Sequence, residues 1–343
     1  MRRCSSTCPR KPRKVATPTS RNASPIFRSS RSGLDVVTTE RTQRHPGALS
    51  GLQIWLMAAR PRTLPAAVAP VLVGTALAWT VGPLDWFAFA AAALGALFIQ
   101  VGTNLSNDYS DARRGADTEE RLGPVRVTAG GLVPPKQVLV ATYASFGAAV
   151  LCGVYLIIIA GPVLLLIGGA SILAGVLYTG GPRPYGYEGL GEIFVFTFFG
   201  IVAVTGSYFV QRQALEWEAF VLAVPVGLLA SAILVVNNVR DLETDRRAGK
   251  RTLAVRLGRA KTRVLFAVMI ALAYPTALLP SIFGSFNAWP ALTLLTIPIA
   301  VALVRTVRTH TDGPTLNTAL AKAGVLELTF CLLLTIGLLL NQQ

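Results

Sequence analysis

Two short runs of the chain combine residue types that apolar helices rarely carry. "NLSNDYSDARR" covers residues 104 to 114 and "NNVRDLETDRR" covers residues 237 to 247. At one offset of 133 residues Asn104 pairs with Asn237, Asp108 with Asp241 and Arg113–Arg114 with Arg246–Arg247, while the second acid shifts by one place, Asp111 against Asp245. Residues three or four apart share a helix face, so Asn104, Asp108 and Asp111 form one stripe and Asn237, Asp241 and Asp245 form another. Carboxylates of like sign on one face repel, and at membrane depth they require neutralisation. Two such stripes facing each other across a bundle would demand cations. Hard oxygen donors suit Mg²⁺ best, because it takes one or two carboxylates, keeps waters and completes its shell with substrate phosphates. The neighbouring Arg113, Arg114, Arg126, Lys250 and Arg251 suit a polyanion held beside the metal. The chemistry expected is therefore a Mg²⁺-diphosphate site at the inner membrane surface.

The elements that must position these residues are membrane helices. The chain has 343 residues, 52% hydrophobic and 14% charged, with a mean hydropathy of +0.53. Its apolar runs repeatedly approach the roughly 20 residues that a bilayer crossing needs. Nine spans are expected, near 64–81, 86–106, 137–159, 162–178, 189–210, 219–238, 262–283, 286–304 and 317–340. The acidic runs close the second and sixth spans, so the chain reads as two related four-helix units plus one helix. Lys and Arg gather before the first span and in the 2/3, 4/5, 6/7 and 8/9 connections, whereas the other connections hold only Arg212. That alternation predicts the N-terminus and both stripes on the inside. Ten of the 17 acids lie in three inside connections, Asp117, Glu188 and Glu192 among them.

Residues 1–50 are of different material. They hold eleven Lys or Arg against Asp35 and Glu40, which is +9 of the formal +15. A basic, Ser/Thr/Pro-rich arm of this kind is expected to be disordered and to touch anionic headgroups. An upstream start-site artefact is the other reading, since Met57 immediately precedes "AARPRTLP". Cys4, Cys8, Cys152 and Cys331 lack zinc-site spacing, and His45 and His310 are isolated, which argues against histidine-based catalysis. The lipid bilayer is the expected surrounding, and no nucleic-acid partner is expected. From the residues alone, an ion or solute transporter stays open as an alternative, because repeated helices with intramembrane acids also describe ion pathways.

Over roughly residues 52–340 the sequence resembles the UbiA superfamily of intramembrane aromatic prenyltransferases. Four stretches carry the resemblance: "ARPRTLP" at 59–65; "NDYSDARRGAD" at 107–117 followed by "TAGGLVPP" at 128–135; "YTGGPRPYGYEGLGE" at 178–192; and "NNVRDLETDRRAGKRTLAVRLG" at 237–258. It looks most like the branch that uses 1,4-dihydroxy-2-naphthoate for menaquinone biosynthesis. Relatives acting on 4-hydroxybenzoate tend to carry a lysine after the tyrosine of the 4/5 connection; here "GGPRPY" offers only Arg183.

The resemblance implies a nine-helix bundle, divided into the arm at 1–50 and a transmembrane domain at 51–343. It implies Mg²⁺-dependent transfer of a polyprenyl group from its diphosphate to dihydroxynaphthoate with loss of carbon dioxide, giving a demethylmenaquinone. Two Mg²⁺ ions would bridge Asp108, Asp111, Asp241 and Asp245 to the diphosphate. Asn104, Asn107, Asn237 and Asn238 would complete or orient that shell, and Arg126, Lys250 and Arg251 would take up developing charge. Tyr178, Tyr185 and Tyr187 would wall the allylic cation, with Arg183 a further substrate contact. A bacterial plasma membrane with a cytoplasmic active site follows, while chain length, oligomeric state and the roles of Asp117, Glu188 and Glu192 stay open. Other acceptors, including 4-hydroxybenzoate, homogentisate, haem and a phosphoribose, remain alternatives.

Overall fold

In the computed structural model, residues 50–116 and 122–341 are described. The expectation for the 1–50 arm and the question of Asp117 lie outside those residues, apart from Ser50. The described chain is all helical, without a strand. Helices α1 (Gly51–Ala59) and α2 (Pro65–Trp79) are joined by a short 3₁₀ turn. They are followed by α3 (Trp86–Arg113), α4 (Pro135–Ala160), α5 (Val163–Leu177), α6 (Gly191–Arg212) and α7 (Trp217–Arg247). The last three are α8 (Leu253–Ile282), α9 (Trp289–Thr309) and α10 (Gly313–Leu339).

Each of the nine expected segments falls on a helix, but their lengths are unequal. Seven of these helices are long and apolar enough to cross a membrane. An eighth crossing requires α1 and its turn to be joined to α2 across a 50° bend. The remaining segment, α5, has 15 residues, about 22 Å at 1.5 Å per residue against a hydrocarbon core of about 30 Å. The outer surface is apolar: Leu151 and Ile158 on α4 are 74% and 77% exposed. Lipid removes the cost that water would impose on such side chains, about 1.5–3 kcal/mol each.

The long α7 forms the centre of the bundle, with buried residues running from Ala219 to Leu242. It packs along α6 where both backbones are bare: a Cβ on Gly200 would fall 2.6 Å from the Cα of Gly227. Here α6 widens into a π-helical stretch at Phe196–Val202, the kind of local bulge that often accompanies function. A second close approach joins α2 to α6, where a Cβ on Gly74 would meet the Val204 carbonyl oxygen at 2.3 Å.

The acidic runs are continuous with their helices. Apolar packing carries α3 and α7 through the bundle, and both helices run on beyond the expected apolar spans to Arg113 and Arg247. Asp108, Asp111, Asp241 and Asp245 therefore sit on rigid helical ends.

Candidate active site

The ends of α3 and α7 open onto a single cavity of about 520 Å³. Its polar end takes Asn107 and Asp111 from α3, and Asn237, Asn238, Asp241 and Asp245 from α7. Arg126 and Lys250 line the same end, and the cavity continues between apolar faces of α3, α5 and α6 such as Ala96, Ile172 and Phe198. The two halves of the sequence repeat thus meet at one mouth.

The first half is held by groups from distant segments. Asp111 Oδ1 accepts from the Tyr187 hydroxyl at 2.6 Å. Its Oδ2 lies 3.3 Å from Arg126 Nη2 and 3.8 Å from Lys250 Nζ. Lys250 also sits 4.7 Å from the centre of the Tyr187 ring, a cation–π distance. Asn107 Oδ1 accepts from the Thr179 hydroxyl at 2.8 Å. Asn104 is buried at the cavity wall but faces inward to the fold: its Nδ2 donates to the Ala59 carbonyl at 2.9 Å and to Thr63 Oγ1 at 3.2 Å. It therefore pins the bend between α1 and α2, where Arg60 has φ 55°.

The structure places Asp108, expected among the metal ligands, away from the cavity lining. Its Oδ1 accepts the Thr128 backbone N–H at 2.9 Å and its Oδ2 accepts that of Val127 at 3.2 Å. Both carboxylate oxygens thus anchor the 2/3 connection, which delivers Arg126 to the cavity. The repeat register seen at the cavity consequently pairs Asn107 and Asp111 with Asn237 and Asp241, an offset of 130 in place of 133. Spacing alone could not separate Asp108 from Asp111, because both registers give acids on one helix face.

The second half is held mainly from within α7. Arg240, 2% exposed, grips Asp241 through Nε–Oδ1 at 2.8 Å and Nη2–Oδ2 at 2.6 Å. The same guanidinium donates to Asn237 Oδ1 at 2.7 Å and, on α10, to Asn317 Oδ1 at 2.6 Å. Asn317 in turn donates to the Leu122 carbonyl of the 2/3 connection at 2.8 Å. Sequence reasoning assigned Arg240 only a topological role; its place immediately before Asp241 was the available signal. Glu192, also buried, accepts from Asn238 Nδ2 at 2.9 Å.

The end of α5, the 4/5 connection and the start of α6 supply an aromatic wall. Tyr178 is edge-on to Tyr185 at 5.4 Å, and Tyr185 stacks on Phe194 at 3.8 Å; all three rings line the cavity. The Tyr185 hydroxyl donates to the Ala174 carbonyl at 2.8 Å, and burial pushes its pKa above the ordinary phenol value, so the wall is neutral. Two expected contacts are absent from the cavity. Arg183 is exposed on the connection. Arg251 is exposed too, its backbone N–H donating to the Tyr187 carbonyl at 2.8 Å. Glu188 pairs with Arg256 at 3.1 Å on the surface.

The donor set suits a hard divalent ion without forming a closed cage. Among the described residues no three His, Cys, Asp or Glu side chains converge tightly enough to hold a metal alone. Three carboxylates and several amides line the same cavity as three cations, Arg60, Arg126 and Lys250, an arrangement that fits an ion whose shell is completed by water and an anionic substrate.

A polyanion site at the mouth of an apolar helical cavity defines a membrane enzyme handling an amphipathic phosphorylated lipid, and the sequence comparisons agree. The chain belongs to the UbiA prenyltransferase family, matching it over residues 67–321. It is 41% identical over 279 residues to 1,4-dihydroxy-2-naphthoate octaprenyltransferase of Mycobacterium tuberculosis, covering 81% of this chain and 94% of the relative. It is 37% identical over 300 residues to the enzyme of that name from Escherichia coli, covering 86% and 97%. The fold resembles a UbiA homologue from Archaeoglobus fulgidus solved with GPP and Mg²⁺, at a TM-score of 0.63 and 14% identity, covering 83% of this chain and 99% of that one.

Proposed function

We propose that the protein transfers a polyprenyl group from polyprenyl diphosphate to 1,4-dihydroxy-2-naphthoate, releasing diphosphate and carbon dioxide and yielding demethylmenaquinone as its quinol. The observation that carries this reading is the junction of Asp111, Asp241, Asp245, Arg126 and Lys250 with an apolar passage in one cavity. The names of the relatives supply the acceptor.

Asp111, Asp241 and Asp245, with the amides beside them, would hold Mg²⁺, two ions by the charge to be balanced. Bound there, the metal neutralises the diphosphate leaving group. Arg126 and Lys250 take up charge on the oxygen released as the prenyl C1–O bond breaks. Tyr178, Tyr185 and Phe194 face the electron-deficient prenyl carbon with neutral rings and keep water from it. The ring carbon bearing the carboxylate forms the new C–C bond, and the electron pair of the departing carboxylate restores the aromatic ring. The passage between α3, α5 and α6 takes the prenyl tail.

The same reading places nine crossings in a bacterial plasma membrane, with α5 as a short crossing, the N-terminus inside and the cavity mouth on the cytoplasmic side. The purified protein, given labelled polyprenyl diphosphate, Mg²⁺ and a panel of aromatic acids, should form a prenylated, decarboxylated lipid from dihydroxynaphthoate, read by mass spectrometry. Turnover of a different acid in preference would replace the acceptor, and no turnover of any would remove the reading.

A further inference from the structure

Asn237 and Asn238 are neighbours on α7, and both line the cavity, yet they are held by opposite chemistry. Asn237 meets a guanidinium, with its Oδ1 2.7 Å from Arg240 Nη2. Asn238 meets a carboxylate, with its Nδ2 2.9 Å from Glu192 Oε1. A guanidinium only donates and an ionised carboxylate only accepts. The amide orientation, which is usually an assignment, is dictated for Asn237 by the guanidinium, and for Asn238 it follows from the Nδ2–Oε1 hydrogen bond to Glu192. What each asparagine has left is the reverse of its neighbour: Asn237 keeps its NH₂ group, and Asn238 keeps its carbonyl oxygen.

The two partners are placed to hold these orientations. Neither Arg240 nor Glu192 lines the cavity. Arg240 cannot swing away, because its other donors are committed to Asp241 and Asn317. Glu192 is 3% exposed. Its backbone carbonyl is fixed by the Ser231 hydroxyl at 3.1 Å, and its Oε2 is buried without a hydrogen-bond partner among the described residues. Keeping such a carboxylate buried is costly unless its one bond matters.

We propose that Arg240 and Glu192 are positioning residues that set Asn237 and Asn238 in opposite amide orientations, Asn237 presenting N–H to a diphosphate oxygen and Asn238 presenting its carbonyl oxygen to the divalent cation. This rests on the prenyl diphosphate reading above. Groups that orient a metal's ligands typically change its affinity 10–100-fold when altered, so the division of labour is measurable by separating cation affinity from diphosphate affinity.

Glu192→Gln is nearly isosteric but lets the introduced amide donate to Asn238, freeing the flip. Mn²⁺ titrated into purified protein bearing an unreactive prenyl thiodiphosphate, followed by electron paramagnetic resonance, should bind about 10-fold more weakly. The KM for prenyl diphosphate at saturating Mg²⁺ should be unchanged. Glu192→Asp, which keeps the charge but withdraws the carboxylate by one methylene, should weaken Mn²⁺ in the same way. Adding Asn238→Asp to E192Q offers the cation an oxygen from either end and should restore Mn²⁺ affinity, a rescue that a purely structural role would not give. Arg240→Lys, whose single ammonium cannot serve Asp241 and Asn237 together, should raise the KM for prenyl diphosphate about 10-fold, the loss of one charge-assisted hydrogen bond. Wild-type Mn²⁺ affinity in E192Q and E192D with unchanged melting, or weakened affinity that N238D does not rescue, would overturn the proposal. Turnover by the wild-type protein tests the underlying reading separately.

Discussion

At the end of α3, Asp111 is held by Tyr187, Arg126 and Lys250, one group from each of three connections. At the end of α7, Asp241 is held by Arg240, the residue before it. Similar sequence stripes are thus neutralised in unlike ways. The α7 half carries its own counter-charge and is formed once the helix packs. The α3 half is complete only when the 2/3, 4/5 and 6/7 connections close over it. A site built from one preformed half and one assembled half can keep its acids at membrane depth without repulsion before substrate arrives.

The largest effects should come from the acids themselves. Asp111→Ala and Asp241→Ala should each reduce transfer by roughly 10²–10³-fold in turnover assays, the scale of removing a preorganised charge-stabilising group. The comparison separates them by stability. Asp241→Ala strands the buried Arg240 and should cost about 3–5 kcal/mol in unfolding. Asp111→Ala leaves Arg126 and Lys250 lining an open cavity in place of a packed helix interface and should lower the melting temperature far less. Equal destabilisation would break the distinction drawn between the halves.

A smaller effect is expected at the diphosphate cations. Lys250→Ala should raise the KM for prenyl diphosphate roughly 10-fold, since a hydrogen bond to a charged group contributes about 1.5–3 kcal/mol. Asp108→Ala sharpens the contrast within the first stripe. It leaves the Val127 and Thr128 N–H groups without their acceptor, a cost of about 1–3 kcal/mol per unsatisfied group. Faster deuterium exchange over residues 126–133 should accompany a loss of activity smaller than that of Asp111→Ala. The smallest effect on transfer belongs to an acid outside both stripes. Glu327 on α10 is fully buried, and neither of its oxygens has a partner among the described residues. Glu327→Met should leave turnover unchanged and raise the melting temperature, because it removes an unsatisfied buried polar group.

Much of this architecture was legible in the order of residues. Apolar length marks membrane helices because a bilayer admits only backbones whose hydrogen bonds are satisfied internally. The duplicated Asn/Asp runs pointed to a cation-binding mouth because like-charged carboxylates on one helix face repel. Helical periodicity could not choose between Asp108 and Asp111, which are three residues apart on one face. The choice depends on the 2/3 connection, whose Val127 and Thr128 amides claim Asp108 from about 20 residues away in sequence. Arg183 and Arg251 showed the reverse limit: being near the motifs in sequence did not bring either side chain to the cavity.

By itself, then, the sequence determined that this is an integral helical protein with two acidic helix ends and a basic complement, since hydropathy and periodicity are properties of contiguous residues. Only the tertiary structure decided which oxygens face the cavity. That depends on partners such as Arg240, Glu192 and the 2/3 backbone, and a buried carboxylate or amide turns toward whichever donor or acceptor the packed bundle brings within hydrogen-bonding distance.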